Sequence, residues 1–137
     1  MRYLVAALML LPAAPALGFE GPPGIAFVQA PEQGSGMALA TSPEAGLAEA
    51  TAQCMESGAL AEDCIPTNWC QPAGWTVDIF VMHEAGLHWH EVVCGLPSRP
   101  VAMRVAEVLC DSELRPEIID CMLAQIFDPA GEPRPYD

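Results

Sequence analysis

Apolar and polar residues alternate along two neighbouring stretches in the middle of the chain. In the first stretch, from 75 to 83, Val77, Ile79 and Val81 fall on one side of an extended backbone. The run 84–87 contains a glycine and leads into a second stretch, 88–94, that is rich in β-branched and aromatic residues. Two extended runs joined by a short turn of this kind predict a β-hairpin.

Two segments carry the start signals of helices. One begins after Ser42, a capping residue, with Pro43 at the first helical position, and Gly58 ends it. The other begins after Ser98 and has an apolar stripe of valines and leucine at helical spacing. Both segments are therefore predicted to pack one face on a core.

A third helix is predicted from about Pro116 to the end of the apolar run, because Ile118, Met122 and Ile126 recur at four-residue intervals. Short strands are expected at 25–28, 37–41 and 64–70. The order of strands and helices predicts a small α+β fold, in which helices pack on one face of an antiparallel sheet.

The two ends of the chain differ from this central part. Arg2, the apolar run that follows it and the small residues Ala16 and Gly18 are typical of a secretory signal peptide, predicted at 1–18 with cleavage after Ala16 or Gly18. A Gly- and Pro-rich segment follows at 19–36, a single domain is expected at 37–127, and 128–137 has the composition of a disordered tail. The protein is thus expected to be periplasmic or secreted, without a membrane span once the signal is removed.

All six cysteines lie within the predicted exported part, and an even number in a secreted chain indicates disulfides. A zinc site is the alternative, but the paired CxxC spacing that usually marks one is absent. Six cysteines allow fifteen pairings, and the preference for short loops favours neighbours in sequence. The expected pairs are Cys54–Cys64, Cys70–Cys94 and Cys110–Cys121.

Charge excludes several classes of function. The chain has a formal net charge of −13, which disfavours contact with nucleic acid or anionic lipid. It contains no lysine, so it lacks the Schiff-base residue of pyridoxal-phosphate enzymes and the phosphate-binding residue of P-loops.

All three histidines, His83, His88 and His90, lie in the hairpin. With a two- or four-residue turn, His83 pairs with His88, and all three rings share one face, where they form a candidate site for Zn or Cu. A three-residue turn instead places His83 opposite Leu87. The alternative role is structural, with the histidines at the rim of the core. The HExxH spacing of zinc proteases is not present.

The run from Met37 to Trp75 has an alanine-rich helix ending at Cys54, followed by Gly58, Asp63-Cys64 and Cys70. In these features it resembles the DUF4189 family of small exported bacterial domains of unknown function. The resemblance covers under a third of the chain and does not include the histidines. It implies export, disulfides and an α+β fold, and it implies no catalytic residue.

These observations lead to three candidate functions. The favoured one is a non-enzymatic binding or interaction module without a cofactor, whose partner is an envelope protein or a small ligand. The alternative is a small metal-binding protein that uses the three histidines. An envelope hydrolase is least favoured. Ser35 lies outside the Gly-x-Ser-x-Gly pattern of such enzymes, and a carboxylate pair such as Asp78 and Glu91 would need a sugar cleft for which a small domain with few aromatic residues has little room.

Overall fold

The computed structural model describes residues 21–136. Two helices and seven strands are present in this range, so the α+β class is confirmed. In chain order they are β1 (Gly24–Ala30), β2 (Gly34–Ala40), α1 (Pro43–Glu56), β3 (Ile65–Cys70), β4 (Trp75–His83), β5 (His88–Leu96), α2 (Arg99–Leu109), β6 (Ile118–Phe127) and β7 (Pro133–Arg134). The predicted signal peptide lies outside the described residues. None of the helices from 21 to 136 is long and apolar enough to cross a membrane.

The strands form two antiparallel sheets, whereas the sequence predicted one. The N-terminal sheet has the order β2-β1-β3, and the C-terminal sheet has the order β5-β4-β6-β7. All three expected disulfides are confirmed. Of these, Cys70–Cys94 joins β3 of the N-terminal sheet to β5 of the C-terminal sheet.

Each helix packs on a different sheet, and both begin with the predicted caps. Ser42 Oγ accepts a hydrogen bond from Ala45 N (3.3 Å) at α1, and Ser98 Oγ accepts one from Val101 N (3.4 Å) at α2. α1 covers the N-terminal sheet through small side chains, whereas α2 covers the valines and isoleucines of β4. The expected packing of a helix on one face of an antiparallel sheet is therefore found twice. Each sheet has a helix on one side.

The sides of the two sheets not covered by helices meet in the centre of the molecule. Ile25 and Phe27 of β1 pack with Val92 of β5 and Phe127 of β6, and the two phenylalanine rings lie 6.0 Å apart. All seven residues of β1 are buried, because this strand has α1 on one side and the C-terminal sheet on the other. Burial on both faces explains why the residues from Ile25 to Val28 are all apolar, since a half-exposed strand would alternate.

The segment predicted as the third helix instead forms a strand, β6, which pairs with β4. Two β-bulges on β6 each add a residue, so the positions that face α2 are 118, 121, 123 and 126. Their spacing of three, two and three residues falls between the periods of a strand and a helix. The four-residue intervals in the sequence therefore indicated a helix where the fold has a bulged strand.

The predicted disordered tail is also structured as far as residue 136. Asp128 is buried and closes a turn: its Oδ1 accepts hydrogen bonds from Ala130 N (2.9 Å) and Glu132 N (3.1 Å). Its Oδ2 accepts one from Arg134 Nη2 (2.6 Å), and this arginine lowers the pKa of Asp128. The turn lets β7 pair with the end of β6. The polar, proline-rich composition of this segment predicted disorder because these contacts cannot be deduced from composition.

Candidate functional site

The turn of the β4–β5 hairpin fixes which way its histidines point. His83 N donates to Leu87 O (2.8 Å) and Gly86 N donates to His83 O (2.8 Å), so three residues form the loop. Gly86 has φ +89°, in the left-handed region that the last position of such loops requires. The resulting register places Met82 opposite His88 and Phe80 opposite His90.

This register is shifted by one residue from the register predicted for a two- or four-residue turn, in which His83 pairs with His88. Because side chains alternate across a strand, a one-residue change moves every side chain of β5 to the other face. His88 and His90 therefore share the face of Asp78 and Phe80, whereas His83 lies on the α2 side. His83 Nδ1 accepts a hydrogen bond from Ala85 N (3.0 Å) within its own turn. The prediction that the three rings share one face is wrong.

The geometric basis for a three-histidine metal site is lost with that register. Between residues 21 and 136, no group of three or more His, Cys, Asp or Glu side chains is arranged to hold a metal ion. All six cysteines are in disulfides. Binding of Zn or Cu by His83, His88 and His90 thus has no support in the described chain.

A cleft of about 400 Å³ opens between the two sheets on the side of His88 and His90. The β1–β2 hairpin forms one wall, β4 and β5 form the other, and Gln53 of α1 contributes at the edge. We call it the inter-sheet cleft. Its aromatic lining is Phe27, Phe80, Trp89 and Phe127, and its polar lining includes Gln29, Glu32, Ser35, Gln53, Asp78, His88 and His90.

Asp78 and His90 form a hydrogen-bonded pair in this cleft, with Nδ1 and Oδ1 2.7 Å apart. The side chain of Asp78 is 22% exposed and that of His90 is 46% exposed. Burial raises the pKa of Asp78 above its ordinary value, although the hydrogen bond and the charge of His90 act in the opposite direction. The fold therefore holds this carboxyl where ionisation is disfavoured.

The raised pKa has a consequence for stability. A carboxyl group whose pKa is higher in the folded than in the unfolded state contributes stability below its unfolded pKa, and this contribution is lost as the pH rises through the folded pKa. Ionised Asp78 thus opposes folding. A group kept in a cleft at the expense of stability is a mark of functional sites.

A second histidine–carboxylate contact crosses the cleft. His88 Nδ1 of β5 lies 3.5 Å from Glu32 Oε1, in the turn of the β1–β2 hairpin. Phe80 packs against both histidines, with ring centroids 5.6 Å from His88 and 5.8 Å from His90. Phe80 therefore helps to fix the orientation of both imidazole rings.

Glu91 points to the opposite face, so the carboxylate pair considered from the sequence is not formed. Arg115 donates two hydrogen bonds to Glu91, at 2.7 and 2.8 Å, and Trp89 Nε1 donates a third at 3.1 Å. The guanidinium holds the pKa of Glu91 below its ordinary value. This cluster anchors β5 to the segment that follows α2.

Ser35 lines the same cleft as Asp78 and His90, a proximity that the sequence did not predict. Ser35 lies on β2 opposite Gln29, but it makes no side-chain hydrogen bond to either histidine among the described residues. The nucleophile–base contact of a serine hydrolase is therefore not formed.

Sequence reasoning missed the pairing of Asp78 with His90. The available signal was the glycine at the third position of Glu84-Ala85-Gly86, which is typical of a three-residue hairpin loop. Comparisons with family models, curated proteins and solved structures found no match to this chain.

Proposed function

We propose that this protein is an exported, non-enzymatic binding module and that the inter-sheet cleft is its ligand site. One observation carries the proposal: the cleft combines aromatic walls with the partly buried Asp78–His90 pair. Its volume of about 400 Å³ is within the range of small-molecule sites. Apolar walls with a few convergent polar groups are the usual composition of such sites.

The construction of the walls also supports a ligand site. The cleft lies between two sheets that Cys70–Cys94 links covalently, so its walls are held in place before a ligand arrives. Preformed walls reduce the ordering cost of binding. A small molecule is therefore favoured over an envelope protein as the first partner to test.

Export is supported by the paired cysteines, since disulfides persist in oxidising compartments. We expect protein purified from the periplasm to begin at Leu17 or Phe19. Alkylation without reduction should label no thiol, and alkylation after reduction should label six. Intact-mass spectrometry measures both. A mature chain that retains Met1, or a labelled thiol in the unreduced protein, would contradict the proposal of export.

Filling the cleft should weaken ligand binding. Ser35 and Gln29 pair across the β1–β2 ladder, and both line the cleft. We expect Ser35→Trp to weaken binding by about tenfold or more, because the indole takes up the ligand's volume and each tenfold loss is only about 1.4 kcal/mol. A fragment library screened by two-dimensional NMR would supply the ligands.

Ser112→Trp is the matched control, since Ser112 is exposed in the loop after α2 and does not line the cleft. It should bind the same fragments as the parent chain. Thermal melts would verify that both variants are folded. Fragments that bind Ser35→Trp as tightly as the parent, or that shift only amides outside the cleft, would refute the cleft as the ligand site.

A further inference from the structure

Resting on the proposed ligand site, we infer that the inter-sheet cleft binds a small organic cation, such as an amine with an aromatic or aliphatic group. Its ammonium would contact Asp78, and its apolar part would lie against Phe80. Four observations lead to this ligand class: the charge of the lining, the free oxygen of Asp78, the adjacent aromatic ring and the net charge of the chain.

Among residues 21–136, the side chains that line the cleft include carboxylates and no lysine or arginine. Asp78 and Glu32 both line the cleft, and their only basic neighbours there are His90 and His88. The four arginines of the described chain are engaged outside the cleft: Arg99 with Pro135 O, Arg104 with Glu107, Arg115 with Glu91 and Arg134 with Asp128. An anionic ligand would meet like charge without a compensating arginine, whereas a cation would meet two carboxylates.

One carboxylate oxygen of Asp78 is available to accept a further hydrogen bond. Its Oδ1 is bound to His90, while its Oδ2 has no hydrogen-bond partner in the part of the chain that the structure describes. A carboxylate that is partly removed from water gains from a charged N–H donor, because charge-assisted hydrogen bonds are stronger than neutral ones. Burial raises the pKa of Asp78, and a bound cation would act in the opposite direction by favouring the ionised form.

Phe80 provides a surface for the rest of the ligand. It lies two residues from Asp78 on the same face of β4, and its ring packs beside both histidines in the cleft. A cation near an aromatic face is attracted by the ring quadrupole, and an attached apolar group is removed from water by the same contact. The net charge of −13 raises the local concentration of cations around the whole molecule.

Three probes of matched shape test the ligand class: benzylammonium, benzyl alcohol and benzoate, titrated at neutral pH into the disulfide-bonded chain. We expect benzylammonium to bind about tenfold more tightly than benzyl alcohol, a difference of about 1.4 kcal/mol, and benzoate to bind least. The largest NMR shifts should be those of Asp78, Phe80 and His90. Equal affinities, preference for benzoate or no binding by any probe would overturn the inference.

Asp78→Asn separates the charge from the shape of the site. It should reduce the preference for benzylammonium to about twofold or less and leave benzyl alcohol unchanged. Asp111→Asn, which alters a carboxylate in the loop after α2, should retain the full preference. An unchanged preference in Asp78→Asn would overturn the role of this carboxylate.

If benzyl alcohol binds in the cleft but benzylammonium binds no better, the ligand class fails and the proposed ligand site stands. If neither these probes nor the fragment library binds there, both fail.

Discussion

Replacing both Cys70 and Cys94 with serine should lower the free energy of unfolding by about 3.5 kcal/mol. This is the value expected if the disulfide acts by reducing the entropy of the unfolded chain within the loop that it closes. This bridge closes a loop of 24 residues and joins the two sheets. Its loss frees the unfolded chain and also removes the covalent link beside the cluster of Ile25, Phe27 and Val92. Urea unfolding under non-reducing conditions measures the change, and the double variant avoids an unpaired thiol.

The matched control is the double serine variant of Cys110 and Cys121, whose bridge closes 11 residues within one half of the molecule. The same entropic effect gives a smaller loss, about 2.8 kcal/mol. Hydrogen exchange should distinguish the two variants further. Removing the 70–94 bridge should reduce amide protection on both walls of the cleft, while the control should act mainly near α2 and β6. A loss below about 1 kcal/mol at the 70–94 bridge would show that packing alone holds the sheets together.

Substituting Gly36 with alanine should destabilise the protein by about 3 kcal/mol, the upper end of the range for overpacking. A Cβ at this position would overlap Ala50 O and would lie 2.8 Å from Ala50 C and 2.9 Å from Cys54 N. These are backbone atoms of α1, so no change of rotamer relieves the contact. The helix would have to move away from β2, which would disturb the small-residue packing around Ala50 and Cys54.

Ser35→Ala tests the specificity of that effect, because the substituted residue precedes Gly36 on the same strand and is exposed. Its stability should stay within about 0.5 kcal/mol of the parent. Thermal or urea unfolding measures both variants. If Gly36→Ala were as stable as Ser35→Ala, contact with the backbone of α1 would not be what restricts this position to glycine.

The helix starts and the disulfides were accessible from sequence because they depend on local chemistry. Ser42 and Ser98 cap their helices through bonds that span three residues. The pairing of neighbouring cysteines follows from the preference for short loops. The class of the fold followed from the same signals, since two of the three predicted helices and the hairpin are present.

Tertiary contacts decided the identity of the segment 118–127. A ten-residue segment that is mostly apolar, with only Asp120 and Gln125 polar, is compatible with a helix or a strand. β5 pairs with one edge of β4, and β6 pairs with the other edge and satisfies its backbone hydrogen bonds. Two bulges in β6 keep apolar residues of this strand facing α2. Neither the edge nor the bulges can be read from the run itself.

The candidate site depended on a single register that the alternation of residues left open. The sequence by itself determined that the histidines lie on a hairpin whose first strand also carries Asp78. The three-residue turn closed by Gly86 then placed His88 and His90 with Asp78 and sent His83 to the other face. Only the packing of the N-terminal sheet over that face made it a cleft, because a site between two sheets is formed by residues such as Glu32 and His90 that are distant in the chain.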